Sequence, residues 1–293
     1  MAGALLRLPA EQCEHALAAY RAAVSAKRAR FFLGISILAV ALVLAAIAGE
    51  VNAAKFLDNV HRLPNYIWSI VPPLSWANLG ADVAEWFWNF KEWFKLLVDT
   101  LLIAYLGTLL GFLGAFALCF AATANLEKRR WVRIVSRRFL EFCRSVPEIV
   151  FALLFVVAFG LGPMPGVLAI AIHTLGALGK QFAEVVENID MKPVEGATAT
   201  GASRVSAIRY AVLPQVMSNF VSYTLLRFEI NVRGAAVMGF VGAGGIGQDL
   251  MEAIRKFYYS DVSAILVLII VTVMVIDLTT ERVRHALIGL EQR

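Results

Sequence analysis

Seven charged side chains and one histidine stand within, or at the edges of, stretches that otherwise carry almost no charge. They are Arg144, Glu148, His173, Lys180, Glu184, Arg227, Glu229 and Arg233. In an apolar setting an isolated charge is costly, so such groups are expected to pair, to hold a gate or to line a route for a polar solute. Ile149 to Gly179 is a charge-free run broken by Gly160-Leu161-Gly162-Pro163-Met164-Pro165-Gly166, a turn sequence. Counted outward from Pro163, Glu148 is 15 residues away and Lys180 is 17, while Arg144 is 19 away and Glu184 is 21. An antiparallel helical pair would set Glu148 at the depth of Lys180 and Arg144 at that of Glu184. The alternative, simple neutralisation or snorkelling of long side chains to a membrane surface, stays open.

Other chemistries find little footing. His173 has no ligand partner at i+4, so no metal site is expected, and packing or lining a path is its reading. Gly242-Ala243-Gly244-Gly245-Ile246-Gly247 matches G-x-G-x-x-G, but it lies between two apolar segments and not in a strand–turn–helix unit. A flexible or tightly packed backbone is expected there rather than a nucleotide. Cys13, Cys119 and Cys143 form no CxxC pair and read as inert thiols. The chain has no Walker lysine motif and no nucleophile–base–orienter set. Neither ATP hydrolysis nor a bound cofactor is therefore expected of it.

The elements that must position these residues follow from composition. Of 293 residues 59% are hydrophobic and 17% charged, with a mean hydropathy of +0.71. Soluble domains carry about 25% charged residues, so lipid is the expected solvent and the fold class is an all-α membrane protein with about six transmembrane helices. The net charge of +5 need not mean nucleic acid, because basic loops flank membrane helices anyway. A basic amphipathic segment, residues 1–30, precedes the charge-free run Phe31 to Gly49, which exceeds a signal-peptide core and reads as a retained anchor. Residues 50–99 hold Pro64, Pro72, Pro73 and five of six tryptophans. There Trp86 to Trp93 reads either as an interfacial amphipathic helix or as a loop packed on the protein.

Thr100 to Ala122 is the second expected span, with Gly107, Gly111 and Gly114 as a small-residue packing face. A basic loop over 123–138 follows, then the two hairpin arms. The fourth span is expected over Pro165 to Glu187, the fifth over Ala211 to about Arg233, and the sixth over Asp261 to about Thr279, before a basic tail at 281–293. Lys and Arg number 17 on the side of the two termini and 6 on the other. That excess predicts cytoplasmic termini. It also puts the helix expected within 192–210 in the cytoplasm, in a core running over 100–280.

This last segment carries a family resemblance. Glu195-Gly196-Ala197, three residues, Gly201, and then Leu213-Pro214 resembles the EAA loop of binding-protein-dependent ABC importer permeases. That family's pattern is Glu-Ala-Ala, three residues, Gly, nine residues, Ile, any residue, Leu-Pro. Gly196 and Ala211 are the two departures. Arg144-Ser-Val-Pro147, His173-Thr-Leu-Gly-Ala-Leu-Gly-Lys180, Phe228-Glu-Ile-Asn-Val-Arg233 and Val241-Gly-Ala-Gly-Gly-Ile-Gly247 look like the phosphonate-type branch, over about 140–285. Methionine permeases share the loop.

The resemblance implies a type I importer permease of the inner membrane, multi-pass, whose coupling helix docks on a separate ATPase. It also implies two ATP-binding subunits holding ATP-Mg, a periplasmic substrate-binding protein, and a second permease copy, identical or not. Phosphonate or a related phosphorus oxyanion is then the expected cargo. The rival classes are a methionine or other small-solute permease and an ion-coupled secondary transporter.

Overall fold

A computed structural model describes residues 10–51, 53–72 and 74–291. Residues 1–9, Asn52, Pro73 and the last two residues of the tail lie outside it, as does the Cys13 side chain. The chain divides into two units, at Trp68. The first contains α1 (Ala10–Ala48), α2 (Ala53–Asn59) and most of α3 (Arg62–Ile70). From Ala10 onward the basic segment and the anchor are one continuous helix, so the boundary expected at residue 30 is not a structural break. Val51 N–H reaches back to the Ala46 carbonyl at 2.9 Å as Glu50 takes a left-handed φ of 51°, and this closes α1.

Every regular element of the second unit among its described residues is helical: α4 (Leu79–Trp86), α5 (Phe90–Ala122), α6 (Arg130–Ser145), α7 (Glu148–Phe159) and α8 (Pro163–Glu187) come first. α9 (Lys192–Ala199), α10 (Arg204–Ala207), a π-helical turn Ile208–Val212 and α11 (Leu213–Met238) follow, then a 3₁₀ turn Gly239–Val241, α12 (Ile246–Arg255) and α13 (Tyr259–Glu291). Four described helices are long and apolar enough to cross a membrane, and five if α6 and α7, bent by 85°, form one broken span. Six were expected. The difference is α11, whose 26 residues would reach about 39 Å, but whose Arg227, Glu229 and Arg233 lower its apolarity.

α5 and α8 form the central pair. The glycine face acts as expected: a Cβ on Gly107 would lie 2.6 Å from Ile170, and one on Gly111 2.6 Å from Thr174. Small residues let the two backbones approach closely, and dispersion between them replaces the hydrophobic drive that lipid does not supply. α11 lies against both helices, with the Phe182 and Phe220 rings stacked at 3.9 Å between centroids.

Two local expectations change. The basic stretch predicted as a loop over 123–138 is helical from Arg130, because its residues segregate by face. Arg130, Arg133 and Arg137 share one side, Leu140 and Cys143 are buried, and Trp131, Ile134, Val135, Phe139 and Phe142 form an exposed apolar side. Trp86 to Trp93 is not an interfacial helix. It is the turn from α4 to α5, with Trp86 Nε1 donating to Ser263 Oγ at 3.0 Å and Trp88 Nε1 to Asp261 Oδ1 at 3.0 Å. The half-buried Trp86 and the exposed Trp88 thus both place their indole N–H groups on α13.

The glycine-rich segment is packed backbone. Gly242, Gly244 and Gly245 have φ of 81°, 86° and 81°, and Ile246 N–H donates to Thr100 Oγ1 at 2.9 Å. A Cβ on Gly166 of α8 would meet the Ala243 carbonyl at 2.7 Å. There is no strand among the described residues and no βαβ unit around this match.

Candidate coupling surface and buried polar track

The connection from α8 to α11 is built to present one short helix. Val194 is 5% exposed and joins the apolar cluster of Leu178, Phe182 and Val186 on α8 with Val212, Val216 and Phe220 around the start of α11. Glu195 and Gly196 face outward, and Ala197 is half-buried. The helix stops at Gly201, where φ is 84°: Gly201 N–H bonds the Thr198 carbonyl at 3.0 Å and Ala202 N–H the Ala197 carbonyl at 3.1 Å. That pair of bonds satisfies the carbonyls at the helix end and requires a left-handed residue. The expected single helix over 192–210 is thus two, α9 and α10, with Gly201 as the break. Ser203 caps the second through its hydroxyl at 3.3 Å from Ser206 N–H. Leu213 packs into the same apolar cluster, and Pro214 opens α11, where its missing N–H costs nothing.

This segment is fastened to the α5–α6 connection. Arg204 Nη1 donates to Glu127 Oε2 at 2.6 Å, and Arg129 N–H donates to Glu127 Oε1 at 2.9 Å. The Arg129 N–H and then the Arg204 guanidinium hold the Glu127 carboxyl below the usual carboxylate range. Asn125 donates to the Val186 carbonyl at 2.7 Å, and Arg137 pairs with Glu187. Between the two connections runs an open groove of about 470 Å³, lined by Leu126, Glu127, Val194, Glu195 and Arg204 among others.

The second constellation lies along α11. Arg227 donates through Nη2 to His173 Nδ1, and Glu148 Oε2 stands 3.6 Å from His173 Nδ1 and 4.0 Å from Arg227 Nη2. A guanidinium has only donors, so His173 Nδ1 is the acceptor. One turn on, Asn231 is fully buried and its Nδ2 donates to Thr108 Oγ1 at 2.8 Å and Thr174 Oγ1 at 2.9 Å, tying α11 to α5 and α8. Further along, Arg233 pairs with Glu229 and, at 3.5 Å, with Asp277 of α13.

Glu148 and Arg144 do not meet the partners expected of them. Lys180 pairs with Glu184 of its own helix at 3.4 Å, and Arg144 makes no ion pair among the described residues. The backbone of Arg144 instead abuts Gly176, whose Cβ would lie 2.6 Å from Arg144 N. The pivot of the hairpin explains the shift: α7 ends at Phe159, Gly160 and Gly162 have φ of 88° and 141°, and Pro163 already opens α8. Counted from Gly160, Glu148 and His173 are 12 and 13 residues away, and Arg144 and Gly176 are both 16. Moving the pivot by three residues moves an antiparallel register by twice that. Asn231, Thr108, Thr174, Asp277, Glu127 and Arg204 escaped the sequence reading. A hydroxyl or amide inside an apolar run was the only signal the first three gave.

A model of the family described as binding-protein-dependent transport system inner membrane component matches residues 116–288. The phosphite transport system permease protein PtxC of Stutzerimonas stutzeri is 35% identical over 270 residues, covering 92% of this chain and 93% of that protein. The phosphate-import permease protein PhnE of Mycolicibacterium smegmatis is 40% identical over 193 residues, 66% of this chain and 36% of that one. A putative cryptic phosphonate transport system permease protein of Escherichia coli, PhnE2, is 55% identical over 117 residues, 40% of this chain and 96% of its own. Among solved structures, an inward-facing MetNI methionine ABC transporter superposes with a TM-score of 0.58 at 18% identity, covering 67% of this chain and 95% of that one. A bacterial ABC transporter for import of the acidic polysaccharide alginate gives 0.59 at 13%, covering 90% and 98%. At these identities the structural likeness establishes the fold.

Proposed function

The chain belongs to the family of binding-protein-dependent transport system inner membrane components, and on that premise we propose that it moves a phosphorus oxyanion (phosphite, phosphate or a phosphonate) as the permease subunit of an ATP-driven importer. It is a transport protein of the inner membrane and not itself an enzyme. The observation that carries the reading is α9: an exposed helix with Glu195 outward, seated through Val194 on a cluster shared by α8 and α11. Such a helix transmits force only if it is firmly seated; Val194 seats it, and the Glu127–Arg204 pair holds the adjoining α10.

The partners follow from that role. Two ATP-binding subunits, which hold the ATP-Mg, dock on α9 and the adjoining groove from the cytoplasm. A periplasmic binding protein delivers the oxyanion, and a second permease, the same chain or another, completes the path. Displacement of α9 pulls on α8 and α11 together, and these two helices hold His173, Thr174, Arg227 and Asn231. The family's alanine at position 196 is replaced by glycine, and a Cβ there would meet nothing of this chain within 4 Å, so the change leaves the seating of α9 on its own chain unaltered. Arg227 is the cation available in the interior for a partly desolvated anion. Names of relatives favour phosphite, phosphate and phosphonate over methionine.

The test is ATP-dependent uptake into proteoliposomes holding the permease, its ATPase and its binding protein. Phosphite, phosphate, a phosphonate and methionine are supplied separately. Uptake of a phosphorus oxyanion that stops without ATP supports the reading. Uptake driven by an ion gradient alone would sink it.

A further inference from the structure

Glu148 and Arg227 are oppositely charged, three-quarters or more buried, and yet stand 4.0 Å apart without a hydrogen bond between them. Among the described residues, Glu148 Oε2 and Arg227 Nε are left with no hydrogen-bond partner at all. A buried pair with unsatisfied atoms on both sides is poorly optimised as a structural link, since each orphaned group keeps its desolvation cost. It is well suited to being opened. Resting on the phosphorus-oxyanion reading above, we propose that Arg227 is an anion seat which the Glu148 carboxylate occupies when no substrate is present, and that the transported oxyanion displaces Glu148 to take its place.

Three features of the surroundings support an exchange. First, charge: Arg227 is the cation facing Glu148, and His173 accepts from it, so Glu148 is the nearest counter-charge, with the Arg144 guanidinium also within electrostatic reach of His173. A phosphorus oxyanion carries about 1–2 negative charges near neutral pH, so adding one without expelling the carboxylate leaves one more uncompensated charge in a site of low dielectric than replacement does. Second, space: Gly234, seven residues beyond Arg227 and so on the same face of α11, leaves bare the volume that Glu148 Oε1 fills, a Cβ there lying 2.5 Å from that oxygen. Glu148 also lines an open cleft of about 390 Å³ together with Arg233 and Gly234, which gives the carboxylate somewhere to go. Third, an alternative station: Glu148 is the first residue of α7, where the free N–H groups and dipole of the helix favour a carboxylate turned back upon them. A phosphorus oxyanion on Arg227 would accept from Nε as well as Nη2, satisfying the orphaned donor.

The test measures equilibrium binding of radiolabelled inorganic phosphate, with phosphite as competitor, to the purified permease–ATPase complex in detergent. Glu148→Gln removes the resident charge at nearly constant shape, and phosphate affinity should rise at least tenfold. Arg227→Gln should abolish binding in either background. Glu148→Ala removes the carboxylate while leaving Gly234 and the cleft untouched and should also tighten binding, which covers a failure of Glu148→Gln to assemble. Unchanged or weaker binding in both assembled variants would overturn the exchange. Wild-type uptake, measured separately, tests the importer reading: transport of a phosphorus oxyanion with no gain in Glu148→Gln would remove the exchange alone.

Discussion

Replacing Gly111 by alanine tests whether the α5–α8 seam sets the positions of the interior polar groups. The new Cβ would lie 2.6 Å from Thr174 Cβ and 2.8 Å from the Ala171 carbonyl oxygen, the latter backbone and unable to rotate away. Carbon contacts settle at about 3.5–4.0 Å, so the helices must part by about 1 Å. Overpacking of this kind costs about 1–3 kcal/mol. It also stretches the Asn231 bridge, whose two bonds of 2.8 and 2.9 Å join Thr108 on one side of the seam to Thr174 on the other. Interhelical hydrogen bonds in membranes contribute about 0.6 kcal/mol each. At roughly 2–4 °C per kcal/mol for a unit of this size, overpacking and the weakened bridge together should make the detergent-solubilised permease melt about 4–17 °C lower, followed by loss of the monodisperse gel-filtration peak on heating. Gly80→Ala is the control, since a Cβ there meets nothing within 4 Å; it should melt at or above the wild-type temperature. If Gly111→Ala melts and transports like Gly80→Ala, the seam does not hold the interior as argued.

Three further outcomes are expected. Gly201→Val should cut uptake and substrate-stimulated ATP hydrolysis while Gly201→Asn keeps most of both, because the site has open space but a φ of 84°, which costs a β-branched residue about 1–2 kcal/mol and asparagine less; equal loss in the two would remove the backbone explanation. Arg227→Lys should lower uptake at least tenfold, since a single ammonium cannot serve His173 and an oxyanion in the plane of a guanidinium; retained uptake would remove Arg227 from the path. The Glu127 carboxyl is held below its ordinary range in the folded chain, so its contribution is complete above the unfolded value and is lost as pH falls through the lowered one. Melting of wild type and Glu127→Gln should differ at neutral pH and converge in acid, and a difference that persists in acid would contradict the sign.

How far the sequence carried depended on whether a feature was local. α5, α8 and α13 were legible because transfer of an apolar run into lipid depends on composition alone. The Gly107–Gly111–Gly114 face was legible because helical periodicity places small residues on one side. Gly201 was legible as a special position, though its part as the end of α9 needed the φ angle and the two capping bonds. Helix α6 was misread as a loop because its arginines masked a clean division into basic, buried and apolar faces.

The partners of the interior charges were not legible. Glu148, His173 and Arg227 come from α7, α8 and α11, and Arg227 is 54 residues beyond His173. Their meeting depends on where the hairpin pivots and on how α11 seats against the α5–α8 pair, and neither is encoded in any one segment. Counting from Pro163 assigned Glu148 to Lys180, while the chain turns at Gly160 and delivers it to His173 and Arg227 instead. The sequence by itself determined that these charges lie in an apolar interior and need compensation, since desolvation is a property of each residue and its immediate neighbours. Only the tertiary structure decided which charge compensates which, because pairing depends on distances between helices that long-range packing fixes.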